Sequence, residues 1–141
     1  EKNPEEFLSF LIQKRIQAVN IIPDRNWNIK QEDEKNIKIK NLHRFLDAAI
    51  KMGLPVVVGT EMNRLGQPVE DNLDGAELLP YRDFFIRSSF ILTGHTIMAR
   101  YLAKPITGKW AESEFGKDIK RRNMFYESVG EKYSLGEKVE I

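Results

Sequence analysis

Residues 55 to 63, PVVVGTEMN, set three polar side chains, Thr60, Glu61 and Asn63, directly after an apolar run that ends in glycine. A second polar burst, Asp24, Arg25, Asn26, Trp27 and Asn28, follows the β-branched run IQAVNII at 16 to 22 and Pro23. Glu61 and Asp24 are the pair of chemical interest. Two carboxylates brought together can share general acid and base work, or hold a hard divalent cation through oxygen ligands. Arg25 offers a bidentate fork for carboxylate or phosphate. Trp27 reads either as a flat apolar wall for a ligand or as a plug over the end of the fold. Asn26, Asn28, Thr60, Asn63 and, past a turn at Gly66, Gln67 are neutral hydrogen-bonding groups suited to positioning a substrate. The competing reading is plainer: loops after strands are polar as a rule, and Asp24 then bonds only the turn after Pro23.

The chain has two histidines. His43 flanks an apolar helical stripe, which suits a structural role. His95, in LTGHTIMAR, follows a glycine inside an apolar run and reads as a hydrogen-bonded core residue, with metal ligation as the alternative. Without cysteine, and without an HxH or HExxH spacing, these residues do not make a complete zinc site by themselves. LGQPVEDNLDG at 65 to 75 lacks the spacing of a calcium loop, and no glycine-rich phosphate loop is present. Lys117, Lys120, Arg121 and Arg122 fall on one helical segment and read as a solvated face.

The elements that must position these groups can be read from periodicity. Asn3-Pro4-Glu5-Glu6 is a helix start, and Phe7, Leu8, Leu11 and Ile12 continue it to about residue 14. Residues 16 to 22 form a strand ended by Pro23. The stretch 23 to 35 reads as polar and irregular, until Leu42, Phe45, Leu46, Ala49 and Ile50 build a second helix. Gly53 stops that helix as a left-handed residue, with Leu54 supplying the apolar contact of a Schellman motif. The valines of 56 to 58 then look like a parallel strand covered on both faces. Strand, helix and strand together make a βαβ unit.

From 64 to 80 the chain is expected to be a long loop. Residues 81 to 104 are expected to run helically with a break at Gly94, FILTG at 90 to 94 being an alternative strand. A last helix spans Ser113 to about Glu131, and 132 to 141 is a tail. The fold class expected is α/β: a βαβ unit with parallel strands and flanking helices.

At 141 residues, 41% hydrophobic and 30% charged, the chain has the bulk of one globular domain. Its formal charge of +1 marks it for neither nucleic acid nor an anionic membrane. It has no apolar run of bilayer length and no basic-then-apolar leader at its start, and with no cysteine it fits a reducing compartment, so a cytoplasmic protein is expected. Two parallel strands do not make a stable sheet alone. Either a further strand lies in the chain, FILTG at 90 to 94 being the candidate, or the missing strands belong to absent sequence or to another copy of the chain, and a homo-oligomer is expected.

Residues 16 to 100, and GLPVVVGTEMNRLGQ above all, resemble the later βα units of a metal-dependent hydrolase barrel of the PHP family, the polymerase- and histidinol-phosphatase-type phosphoesterases, with the amidohydrolases as neighbours. In PHP proteins a late strand ends in Gly-Ser-Asp-x-His, whose Asp and His bind metal. Gly59, Thr60 and Glu61 match its beginning with Glu for Asp, and Asn63 stands where the His would be. The family's histidine-rich early motif is not among these residues and would lie upstream of Glu1.

The resemblance implies the C-terminal part of a (β/α) barrel and a phosphoesterase-like hydrolase using a divalent Zn, Mn or Mg ion on a small anionic molecule. Glu61 would be base or metal ligand, Asp24 its partner, and His95 a further candidate ligand. Arg25 would clamp the anion, with Asn28, Asn63 and Gln67 as positioning donors. The alternative function is a non-catalytic α/β module that binds a ligand or partner through the same rim.

Overall fold

A computed structural model describes residues 3–23, 29–60, 65 and 71–138. It is a mixed α/β structure that divides into two compact units, Glu1–Phe85 and Ile86–Ile141. The order is α1 (Pro4–Gln13), β1 (Val19–Ile21), α2 (Glu32–Met52), β2 (Val56–Val58), a 3-10 turn (Leu79–Tyr81), α3 (Arg82–Leu102), α4 (Lys109–Phe115) and α5 (Ile119–Ser134). The boundary between the units falls within α3.

In the first unit α1 begins as its sequence requires: the Asn3 carboxamide accepts from the Glu5 amide at 3.0 Å and Pro4 occupies the first turn. It ends on Arg15 at φ 63°, with the Arg15 amide bonded to Ile12 O and the Ile16 amide to Leu11 O. Helix α2 ends in the same way on Gly53 at φ 66°, with bonds to Ile50 O and, from Leu54, to Ala49 O. Both are Schellman turns, and each delivers the chain to a strand.

Helix α2 starts at Glu32, well before the apolar stripe at Leu42, and so takes in the end of the stretch expected to be irregular, residues 32 to 35. Its first half shows no inward stripe because it is exposed. It is held by good helix formers and by Glu32, Asp33 and Glu34 against the positive end of the helix dipole.

The two strands pair in parallel, Val19 with Val56, Asn20 with Val57 and Ile21 with Val58. One face of this sheet, Val19, Ile21, Val56 and Val58, packs into a core with Leu8, Leu42, Leu46, Leu54, Leu78 and Phe85. On the other face Asn20 is exposed and Val57 is partly buried, so among the described residues the apolar cover of the sheet lies on the first face.

The expected loop of 64 to 80 is, over its described part from Asp71, a chain of hydrogen-bonded turns. The Asn72 side chain accepts from the Asp74 amide, and the amides of Leu78 and Leu79 both reach Gly75 O. These turns seat Leu78, fully buried, and Tyr81 in the core.

In the second unit α3 runs unbroken through Gly94, and residues 90 to 94 are helical rather than a strand. Gly94 is there for space. A Cβ on it would overlap the carbonyl of Tyr126, and a Cβ on Gly130 of α5 would overlap the carbonyl of Phe90. The two glycines let α3 and α5 cross backbone to backbone, each receiving the carbonyl four residues before the other. The expected helix from Ser113 is two helices. Ser113 lies inside α4, Gly116 ends that helix at φ 56°, and Asp118 caps α5 by accepting from the Arg121 amide at 2.9 Å.

Around this crossing Trp110, Phe115, Phe125 and Tyr126 form an aromatic cluster, with neighbouring ring centroids 5.3 to 6.3 Å apart. The basic run is not a simple solvated face. Arg121 bonds Glu114. Burial lowers the pKa of Arg122, against an opposing pull from Tyr126, and its Nε has no hydrogen-bond partner among the described residues.

Alanine in place of glycine in a helix ordinarily stabilises it by about 0.5 to 1 kcal/mol. At this crossing the sign inverts: Gly94→Ala or Gly130→Ala is expected to lower unfolding stability by about 2 kcal/mol or more through overpacking. Urea denaturation checks this, and an unchanged or raised midpoint would refute the backbone contact.

Candidate functional site

The pairing register decides where the polar bursts begin. Past the last paired residues the Gly59 amide still donates to Ile21 O at 2.8 Å, so β1 and β2 end level. The segments that follow them, from Ile22 and from Thr60, therefore leave from the same carboxyl edge, where parallel sheets and barrels place their ligands. Pro23 is buried at the start of one, and Thr60 is exposed at the start of the other. Asp24, Arg25, Asn26, Trp27, Asn28, Glu61, Asn63 and Gln67 lie outside the described residues. Of the residues expected at this rim, the structure describes Thr60.

His95 belongs to the second unit, on α3. Its Nδ1 accepts from the Ile106 amide at 3.1 Å, and its ring meets the Tyr126 ring edge-on at 6.4 Å. Burial holds its pKa below the usual histidine value, which favours the neutral ring. A neutral imidazole that accepts at Nδ1 carries its proton on Nε2, so neither nitrogen has a lone pair to give a metal. This is the arrangement of a core histidine, and it holds the turn at 103 to 108 against α3. Tyr126 works beside it, donating from its hydroxyl to Lys104 O at 3.0 Å, with its phenol pushed up to about 12 by burial.

His43 is likewise tied down. Its Nε2 lies 2.7 Å from Glu77 O, a carbonyl that can only accept, so Nε2 donates. The ring packs 5.1 Å from that of Tyr81, whose hydroxyl donates to Asp47 at 3.0 Å. Burial, and then the Asp47 bond, push the Tyr81 phenol up to about 12, so it is a fixed donor at neutral pH. The cluster pins the turns before α3 onto α2. Among the described residues no group of three or more His, Asp or Glu stands ready to hold a metal ion.

One residue at the rim escapes a reading by periodicity. Asn20, mid-strand in β1, lays its carboxamide over Gly59: a Cβ built on that glycine would lie 2.5 Å from Asn20 Nδ2 and 2.6 Å from Oδ1. The available signal was compositional, since asparagine is depleted in strands and here interrupts an otherwise apolar run.

His95 also makes stability depend on pH. Its folded pKa lies below the unfolded value of about 6.5. The unfolded chain therefore binds the proton first, and stability is full above about pH 6.5 and falls as pH drops through the lowered folded pKa. His95→Asn, whose Oδ1 can still accept from Ile106, is expected to flatten the fall in urea midpoint between pH 7.5 and 5. Equal slopes in parent and variant would refute this. No family model, no curated protein and no solved structure matches the chain.

Proposed function

We propose that the chain is the C-terminal part of a (β/α) barrel hydrolase of the phosphoesterase type, acting on a small anionic molecule at the carboxyl edge of its sheet. The observation that supports this is the level, parallel ending of β1 and β2, from which both polar bursts depart. The core cluster that the described residues form on one face of the sheet agrees with it: barrel strands turn one face to their helices and the other to the barrel interior.

In this reading Arg25 grips the anion, Asn28, Asn63 and Gln67 orient it, and Trp27 walls it off from water. Asp24 and Glu61, with the amide oxygen of Asn63, are a hard oxygen donor set, which fits Mg or Mn better than Zn. His95 falls out of that set, because its lone pair is spent on Ile106. A bound divalent ion would supply positive charge to the scissile group. Glu61 would take a proton from the water that attacks phosphorus and give it to the leaving alcohol oxygen as its bond to phosphorus breaks.

The non-catalytic alternative, a ligand-binding module on the same rim, is favoured by one residue, Asn63, since an amide is a poorer metal ligand than imidazole. Glu61→Gln separates the two. In an enzyme, Mn-dependent hydrolysis of p-nitrophenyl phosphate falls about 100-fold or more while phosphate still binds. In a module, phosphate binds to parent and variant alike with no metal-dependent turnover in either. A parent chain that binds neither Mn nor phosphate in calorimetry defeats both readings.

A sheet of two strands among the described residues also supports self-association, in which a second copy supplies what the barrel would otherwise provide. Light scattering is expected to give a mass above the 16.4 kDa of one chain. A concentration-independent monomer would remove this proposal.

A further inference from the structure

We infer that residues 105 to 107 form an acid-opened flap latched by His95: a proton taken up at Nδ1 releases the flap and bares Ile106 while the crossing of α3 and α5 stays folded. Such a flap puts the first step of acid destabilisation in one short segment of the second unit. It does not depend on the function proposed above.

The hydrogen bonds of the segment show how it is held. Among the described residues, one hydrogen bond reaches residues 105 to 107 from outside the turn of 104 to 108, and it runs from the Ile106 amide to His95 Nδ1 at 3.1 Å. The bond from the Gly108 amide to Pro105 O at 3.1 Å only closes the turn on itself. The two ends are fixed separately. Lys104 is tied twice, its amide to Met98 O and its carbonyl to the Tyr126 hydroxyl, both at 3.0 Å. Gly108 O receives the Glu112 amide at 3.1 Å in the first turn of α4. The middle residue therefore has a single latch. Its side chain is the apolar load of the flap, buried in the cluster of Ile91, Met98, Ala111 and Phe115.

Protonation must break that latch. A backbone amide can only donate, so Nδ1 has to supply a lone pair, and an imidazolium, which donates from both nitrogens, has none. The new charge also lacks a counter-charge. Tyr126 of α5 faces the ring and stays neutral, its phenol pushed up to about 12. Lys104 of the turn is a cation, held over the Trp110 ring at 4.9 Å, and Arg122, which interacts with Tyr126, is another. The neighbours of His95 one turn away on α3, Ile91, Leu92, Met98 and Ala99, do not titrate. Among the described residues no carboxylate is paired with His95, and burial is the cause of its lowered pKa. Water relieves the imidazolium, and the neighbour free to make way for it is the flap. The Tyr126 bond to Lys104 O does not titrate with His95, so the opening stops at Lys104.

With the flap open the ring returns to a pKa of about 6.5, above its closed value, so opening takes up a proton. The open fraction is small above about pH 6.5 and grows about tenfold per pH unit from there down to the closed value.

Native-state hydrogen exchange by NMR on the whole chain, in urea below the unfolding transition, tests the flap. Protection of the Ile106 amide is expected to lie about tenfold or more below that of the Gly130 amide, buried at the crossing. It should fall with acid by the factor above yet ignore urea, whereas Gly130 responds to urea because its exchange needs the unit to unfold. His95→Asn, which still offers an acceptor but does not titrate, should hold Ile106 protection level between pH 7.5 and 5. Equal protection and equal urea slopes for Ile106 and Gly130 would overturn the inference, since the unit would then open only as a whole. Ile106 protection that ignores pH in the parent would overturn it too, as would an undiminished fall in His95→Asn. If circular dichroism shows that variant unfolded, the titration of the His95 ring in the parent takes its place. Ile106 exchange that tracks the ring is then the expected result, and exchange that changes where the ring does not titrate overturns the latch.

Discussion

The bond from the Gly59 amide to Ile21 O closes a short parallel ladder, and the logic of the first unit depends on it. It fixes the two strands level with each other. Because side chains alternate along a strand, the register also assigns every residue of the sheet to a face: Val19, Ile21, Val56 and Val58 to the core, Asn20, Val57 and Gly59 to the other side. A slip of β1 by one residue would bury the carboxamide and expose Val19 and Ile21. The hydrophobic demand of Val56, which is fully buried, therefore holds Asn20 in position at the rim.

The second unit is organised by contact of a different kind. Where most helices keep 8 to 10 Å between axes through interlocking side chains, α3 and α5 meet through glycine at Gly94 and Gly130. Close approach there leaves the aromatic rings to fill the flanks. It also explains why Tyr126 is fully buried and must send its hydroxyl to a backbone carbonyl.

The sequence made some of this plain and concealed the rest for identifiable reasons. The Asn3 cap, the Gly53 stop and the valine strand were legible because each is a local signal with one physical reading. The first half of α2 was hidden because an exposed helix has no stripe to betray it, only propensity. Gly94 was misread as a break because glycine in an apolar run signals either freedom or room, and only the neighbour at Tyr126 tells which. At the rim, residue type announced charged and amide groups, while Asn20 was masked by the apolar company it keeps.

Both strands are approached by the same device, a left-handed residue followed by an apolar one, Arg15-Ile16 before β1 and Gly53-Leu54 before β2. The first unit is therefore built twice on one plan, helix, turn, strand, although its two halves share no repeated sequence. The turn acts as a phase setter. The number of residues between it and the strand decides which side chains face the core, so an insertion or deletion of a single residue there would exchange the two faces of that strand. Length in these two linkers is thus constrained more tightly than identity, as the substitution of arginine for glycine at the same geometric position illustrates.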